Sequence, residues 1–259
     1  AAKLIHTHQR TLAQLLGSSV DAKPFLTSAI AEVNGMDIKK PCSKLSVMQA
    51  VFNCGSMGLH FGKQRGHAYL VPFRVGKGEP ARYEAQLIVG YRGFTELAFR
   101  SGWLASLHTD VVCMKEEIRM WTDEHGPHFR HETNPFGRDF QAASIQGAYC
   151  VWRTSNGGEG FKFIDAKTIQ KAKKDTDPWR YSYDEMAMKT AIRRASKLWR
   201  MTPDLANAVS LDEQAERDES QAQLMEIPRD IADESQRIEE RTQDDFLDVD
   251  SEERDAVSV

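Results

Sequence analysis

The sequence predicts an α+β protein, a mainly antiparallel sheet with helices packed on it, preceded by a helical N-terminal segment and followed by a polar C-terminal tail. Three observations carry that expectation. Apolar residues recur at helical spacing through the N-terminal quarter. Between residues 66 and 165, short runs rich in aromatic and branched side chains are separated by Gly, Pro and Asn turns. After residue 211 aromatic residues vanish except for Phe246, and acidic residues accumulate.

Residues 4–16, LIHTHQRTLAQLL, read as one helix stopped by Gly17. PFLTSAIAEVNG, residues 24–35, reads as a short second helix. SKLSVMQAVFNCGSMGL, residues 43–59, reads as a third, because Leu45, Met48, Val51 and Phe52 share a face and Ser43 can cap the start. GHAYLVPFR (66–74) and RYEAQLIVG (82–90) read as a strand pair joined by VGKGEPA, with Pro72 requiring an edge or a bulge. A short helix, YRGFTELAFRSG, leads into the strands LASLHTDVVCM, EIRMWTD, HFRHE and QAASIQGAYCVWR, then GFKFID after the turn SNGGEG. A helix near 166–174 and another over 184–200, DEMAMKTAIRRASKLWR, close the body.

In the last helix Lys189, Arg193, Lys197 and Arg200 stack along one face, and Met188, Ala191, Ile192, Ala195 and Trp199 along another. The basic face is either solvated surface or a contact for a polyanion. From residue 211 onward the pattern predicts disorder or isolated polar helices.

With 259 residues, of which 41% are apolar, the chain can bury one large core or two small ones. No apolar run approaches the ~20 residues of a membrane span, and the start lacks a secretory pattern. The expectation is a soluble, intracellular protein. Cys42, Cys54, Cys113 and Cys150 are widely spaced and fit buried thiols in a reducing compartment. The net charge of −4 conceals a division. Residues 1–210 hold 29 Lys and Arg against 20 Asp and Glu, and residues 211–259 hold 5 against 18. A basic body with an acidic appendage fits a polyanion-binding protein whose tail meets a partner or competes for the basic surface; a solubilising tail is the other reading.

No catalytic, metal or cofactor site is expected. GLHFGKQ and VGKGEP lack the spacing and the hydroxyl of a phosphate loop, which argues against nucleotide hydrolysis. His125, His128 and His131 in HGPHFRH have no carboxylate or thiolate at convincing spacing and fit a surface hairpin better than a metal site. Glu116-Glu117 and Asp123-Glu124 are adjacent, and adjacent strand residues point to opposite faces, so a two-metal nuclease is not supported. What remains is binding without covalent chemistry. Lys63, Arg65, Arg74, Arg82, Arg92 and Arg100 are interleaved with Phe61, Tyr69, Phe73, Tyr83 and Tyr91, cations for phosphates beside flat rings for exposed bases. Each ring can equally face the core.

GHAYLVPF, then QLIVGYRGFTELAFRSGWLASL, then PWRYSYDEMAMKTAIRR, with GSMGL ahead and AVSLDE behind, resemble the RecT family of phage single-strand annealing proteins over residues 43–212. The resemblance implies ATP-independent binding of single-stranded DNA, annealing of complementary strands and assembly into rings or filaments. It further implies a 5′-to-3′ exonuclease partner, with a single-strand-binding protein as the second candidate, met through the C-terminal segment. The family pattern marks Gly90, Tyr91, Arg92 and Gly93, then Trp179, Glu185, Met186, Lys189, Thr190, Arg193 and Arg194. Joined with the basic residues above, the expected DNA-binding set is Lys63, Arg65, Arg74, Tyr91, Arg92, Arg100, Trp179, Lys189, Arg193, Arg194 and Lys197. The expected partition is residues 1–40 for oligomer contacts, 41–210 for the annealing core and 211–259 for the acidic tail. The alternative function is protection of single strands without annealing.

Overall fold

The computed structural model describes residues 1–16, 21–37, 39–76, 82–124, 126–133, 136–217, 219–221 and 227–238. They form an α+β structure with antiparallel pairing in its larger sheet, arranged as two compact units, residues 1–88 with 211–259 and residues 89–210.

The first unit begins with α1 (Ala2–Thr7), α2 (Gln9–Leu16), α3 (Ala22–Asn34) and α4 (Lys44–Ser56). The single helix expected over 4–16 is broken at His8, which caps α1 with φ −93° and ψ 17° and pairs through Nε2 with Glu234 at 2.5 Å. Asp21 accepts from the Lys23 amide to start α3, and Ser43 accepts from the Ser46 amide to start α4 as its sequence requires. Gly55 sits where the helices meet. A Cβ there would strike Leu16 of α2 and come within 3.0 Å of the Phe25 ring of α3, so only glycine permits this approach.

Strands β1 (Ala68–Val75) and β2 (Arg82–Val89) pair in a two-stranded sheet. Both strands of such a sheet are edges, the position in a sheet where a proline such as Pro72 is tolerated. The connection 77–81 lies outside the described residues, as do Gly17 and His125.

The chain beyond 211 does more than its polarity predicts. Leu211, Ala215, Gln221, Ile231 and Ser235 are buried. Leu87 donates its amide to Gln221 Oε1 at 2.8 Å, and Gln221 Nε2 donates to the carbonyls of Leu87 at 3.1 Å and Leu211 at 2.9 Å. Gln86 Nε2 donates to the Glu219 carbonyl at 2.8 Å. Residues 219–221 therefore satisfy backbone groups of β2 that a bare edge would leave open. A helix over 229–238 places Lys44 Nζ 3.3 Å from the Ile238 carbonyl. The sequence expectation missed this because its anchors are few and a glutamine carries much of the contact.

The second unit runs α5 (Tyr91–Arg100), β3 (Leu104–Cys113), β4 (Glu117–Asp123), β5 (Gly126–Glu132), β6 (Ile145–Thr154), β7 (Glu159–Asp165), α6 (Ala166–Ala172), α7 (Asp177–Tyr181) and α8 (Tyr183–Ser196). Then α9 (Pro203–Glu216) begins in this unit and continues past residue 211. Strands β3, β6 and β7 form an antiparallel sheet with β6 central, and β4 pairs with β5 as a separate hairpin. Alternation along β6 covers both of its faces. Trp152 meets Trp199 beyond the end of α8, with ring centroids 6.0 Å apart, while Tyr149 on the other face meets Phe129 of the hairpin at 4.4 Å. Cys54, Cys113 and Cys150 are buried free thiols and Cys42 is half-buried.

Two glycines make this sheet possible. Gly160 lies opposite Trp152, and a Cβ on it would meet the indole at 2.6 Å. At Gly147 a Cβ would collide with the Phe163 ring and lie 2.6 Å from the Ile164 carbonyl oxygen, which cannot rotate away. Gly147→Ala is expected to cost about 1–3 kcal/mol through overpacking, read as a lowered midpoint in urea with an unchanged slope.

Candidate nucleic-acid interface

In the first unit Lys63 and Arg65 are exposed on a turn bounded by Gly62 (φ 101°) and Gly66 (φ 65°), backbone that favours glycine. Arg74 is exposed on β1, and Arg82 on β2. All four side chains reach solvent.

The second unit holds the remaining expected residues. β2 ends at Val89 and α5 opens at Tyr91, leaving Gly90 (φ −74°, ψ 164°) as the single linking residue, the tight strand-to-helix passage its motif predicts. At the start of α5 the exposed Arg92 lies over the half-buried Tyr91 ring, 5.8 Å from its centroid, and its Nε donates to the Tyr91 hydroxyl at 3.2 Å. Arg100, in the last turn of α5, pairs with Asp204 at 3.1 Å, both groups being well exposed. Such a pair contributes at most about 1 kcal/mol and yields readily to a phosphate.

Helix α8 differs from the amphipathic rod its charges predict. It packs on β3, β6 and β7 as well as on α5, α6 and α7, so little of its surface reaches solvent. Arg193 is only 6% exposed, Lys189 and Arg194 are half-buried, and Lys197 and Arg200 are exposed beyond the last helical residue, Ser196. Helical periodicity puts these charges on one side, but that side is not open to solvent along its length. The Nε of Arg194 is buried with no hydrogen-bond partner, an arrangement that an added acceptor would relieve. Trp179, expected beside DNA, is 5% exposed and packs edge-on against Tyr183 with centroids 5.6 Å apart. Its ring stabilises the α7–α8 junction.

Sequence reading passed over α6. Asp165 caps this helix by accepting from the Thr168 side chain and from its amide at 2.8 Å, bonds that hold its carboxyl below the usual carboxylate range. The helix then exposes Lys167 and Lys171, with Lys173 exposed just past its end and Lys174 half-buried. The spacing of 167, 171 and 174 marks a basic helical edge and was legible in KTIQKAKK. From Lys162 to Arg200 the chain holds eleven Lys and Arg against five Asp and Glu, while the rest of residues 89–210 holds seven against ten.

The hairpin histidines diverge. His128 stacks on Trp121, centroids 5.0 Å apart, and pairs with Asp123 at 2.7 Å, while His131 turns inward to the Tyr149 hydroxyl at 3.2 Å and to Glu116 at 3.3 Å. Glu116 is buried against Arg138, whose Nε lies 2.8 Å from it and whose Nη1 donates to Asp110 at 2.9 Å. Burial works against the guanidinium charge, but the Asp110 hydrogen bond and the Asp110 and Glu116 charges outweigh it and raise the Arg138 pKa. Burial, reinforced by Asp110, pushes the Tyr149 phenol up to about 12. Glu117, the first residue of β4, is exposed while Glu116 turns inward, so the adjacent acids do not share a site. Among the described residues no group of three His, Cys, Asp or Glu is placed to hold a metal ion, and no helix is long and apolar enough to cross a membrane.

The RecT family model matches residues 23–224, from α3 past the Gln221 contact with β2. This chain belongs to the RecT family. It is 32% identical to Protein RecT of Escherichia coli (strain K12) over 209 residues, which covers 78% of this chain and 75% of that protein. It is also 23% identical to Uncharacterized protein YqaK of Bacillus subtilis (strain 168) over 185 residues, 69% of this chain and 59% of that one. Membership in this family makes it a DNA-binding protein of recombination by single-strand annealing.

Proposed function

We propose that this chain binds single-stranded DNA by its phosphates and anneals complementary strands without ATP, as a homo-oligomeric ring or filament. The observation that carries the reading is the concentration of cations between Lys162 and Arg200, exposed on α6 and at the end of α8 beside the rigid sheet. Phosphate contacts hold a strand without reading its sequence, and stacking in the new duplex, about 1.4 kcal/mol per base-pair step, supplies the driving force without a hydrolysed cofactor. The protein's task is to hold one strand extended with its base edges free. A 5′-to-3′ exonuclease would supply the strand, and the acidic chain after Ile238, with two Arg against nine Asp and Glu, is the candidate handle for it or for a single-strand-binding protein.

Mixing two complementary fluorescent oligonucleotides with the protein and no ATP tests the reading: pairing accelerates over the protein-free rate, and an unchanged rate with tight binding would leave only strand protection. The site has its own test. Lys171→Gln with Lys197→Gln removes two exposed cations while keeping helix propensity nearly unchanged. If both meet phosphate, the slope of log affinity against log salt falls by roughly 1.4, since each contact on single strands contributes about 0.7. A titration at four salt concentrations reads it, and an unaltered slope in the folded variant removes these two lysines from the DNA site.

A further inference from the structure

Residues 179, 181 and 183 are all aromatic, yet their environments differ sharply. Trp179 is 5% exposed and Tyr183 6%, whereas Tyr181 between them is 83% exposed. A singly exposed aromatic side chain is ordinary on a protein surface. Tyr181 is set apart by how firmly its backbone is held and by what surrounds it.

The Trp179 ring packs on Tyr183, and the Tyr183 hydroxyl accepts from Gln170 Nε2 at 3.0 Å, tying α8 to α6. Arg180 grips Asp175 through Nε at 3.0 Å and Nη2 at 2.7 Å, and reaches Asp177 at 3.4 Å. The amide of Ser182 donates to the Pro178 carbonyl at 2.9 Å, and that of Met186 to the Ser182 carbonyl at 3.1 Å. The segment is thus fixed on both sides of Tyr181, while the ring itself packs on nothing and its hydroxyl has no hydrogen bond among the described residues. Cations flank its buried neighbour Tyr183. Lys173 Nζ stands 5.9 Å from the centroid of Tyr183, and Lys171 and Lys167 precede it on the exposed edge of α6. Of the acids that flank Tyr181 in sequence, Asp175 and Asp177 are paired with Arg180, and Asp184 and Glu185 belong to the first turn of α8.

Two other exposed rings already have a partner: Trp121 is stacked on His128, and the Phe140 ring centroid lies 5.1 Å from Arg138, whose guanidinium is bound to Asp110 and Glu116. We propose that Tyr181 is a stacking platform for an unpaired base of a single strand whose phosphates run along Lys167, Lys171 and Lys173, an assignment that rests on the annealing reading above. A ring held rigidly and already exposed loses little entropy on binding, and a stacked base is held by its face, which leaves its pairing edge open to a complementary strand.

The test uses the full chain, a fluorescein-labelled oligothymidylate and an abasic strand of the same length. Tyr181→Ala is expected to weaken oligothymidylate binding by about tenfold and to leave abasic binding unchanged, while Tyr181→Phe and Tyr181→Trp retain parental affinity for both. Equal affinities of parent and Tyr181→Ala for oligothymidylate overturn the assignment. So does an equal loss on both strands, which would mean a role in folding or phosphate contact. A change in sedimentation of the DNA-free Tyr181→Ala protein would also overturn it by placing the ring at a subunit interface. If the parent binds neither strand, it is the annealing reading itself that fails.

Discussion

A chain ending at Ser210 is expected to lose the cooperative unfolding of its first unit, whereas one ending at Ile238 keeps it. The cut at 210 removes Leu211 and Ile231, which are 0% and 1% exposed, and with them ~3–6 kcal/mol of apolar burial. It also removes Gln221, leaving the amide and carbonyl of Leu87 without the partners they now have, at about 1–3 kcal/mol for each group left buried and unsatisfied. Together these approach the 5–15 kcal/mol of a whole domain. The cut at 238 removes only residues outside the described structure and leaves Ile231, Ser235 and the His8–Glu234 pair in place. Thermal unfolding followed by circular dichroism separates the two: a Ser210 chain that melts like the parent would show the contacts to β2 to be dispensable. The Ile238 chain is therefore the correct vehicle for asking what the acidic end does. Should that end compete with DNA for the basic surface, its loss tightens oligonucleotide binding and steepens the salt dependence; should it serve only a protein partner, the binding constant stays and recombination in cells is lost.

Much of the fold was legible because its signals are local. Ser43 capping α4, the strands β1 to β3, β6 and β7, and the one-residue passage at Gly90 all follow from patterns within a dozen residues. What was not legible depends on contacts distant in sequence. His8 breaks the first helix with its ring on Glu234, 226 residues away, and Gln221 completes β2 from 134 residues away. The burial of individual site candidates was hidden for a related reason. Helical periodicity tells which charges of α8 share a side, but only the packing of three strands and three helices around it tells that Arg193 is buried there and Trp179 beside it. Burial of Arg193 is not a defect of the amphipathic pattern, since a long cationic stem covers apolar surface while its head finds polar company. The exposed lysines of α6 and the ring of Tyr181 were visible as letters, yet composition ranks them no higher than their neighbours.

Arg138→Ala is expected to destabilise the second unit by about 3–5 kcal/mol at neutral pH, although Arg138 belongs to no DNA-binding surface argued above. Its guanidinium lies between Asp110 and Glu116, and its Nη2 also donates to the Val111 carbonyl at 2.6 Å, so one side chain fixes the loop before β6 to the end of β3. The Glu116 side chain is 4% exposed and that of Asp110 21%, so water cannot replace the lost partner as it would at the surface. The buried Glu116 and half-buried Asp110 carboxylates are then left without their shared guanidinium, with His131 at 3.3 Å from Glu116 as the remaining cationic candidate. Pairing Arg138→Ala with Glu116→Gln should recover part of the loss at neutral pH, because a neutral amide neither repels Asp110 nor requires a counter-ion. Urea midpoints at neutral pH for the three proteins decide it. A single variant as stable as the parent, or a double variant no more stable than the single one, would show the cluster to be incidental to the fold.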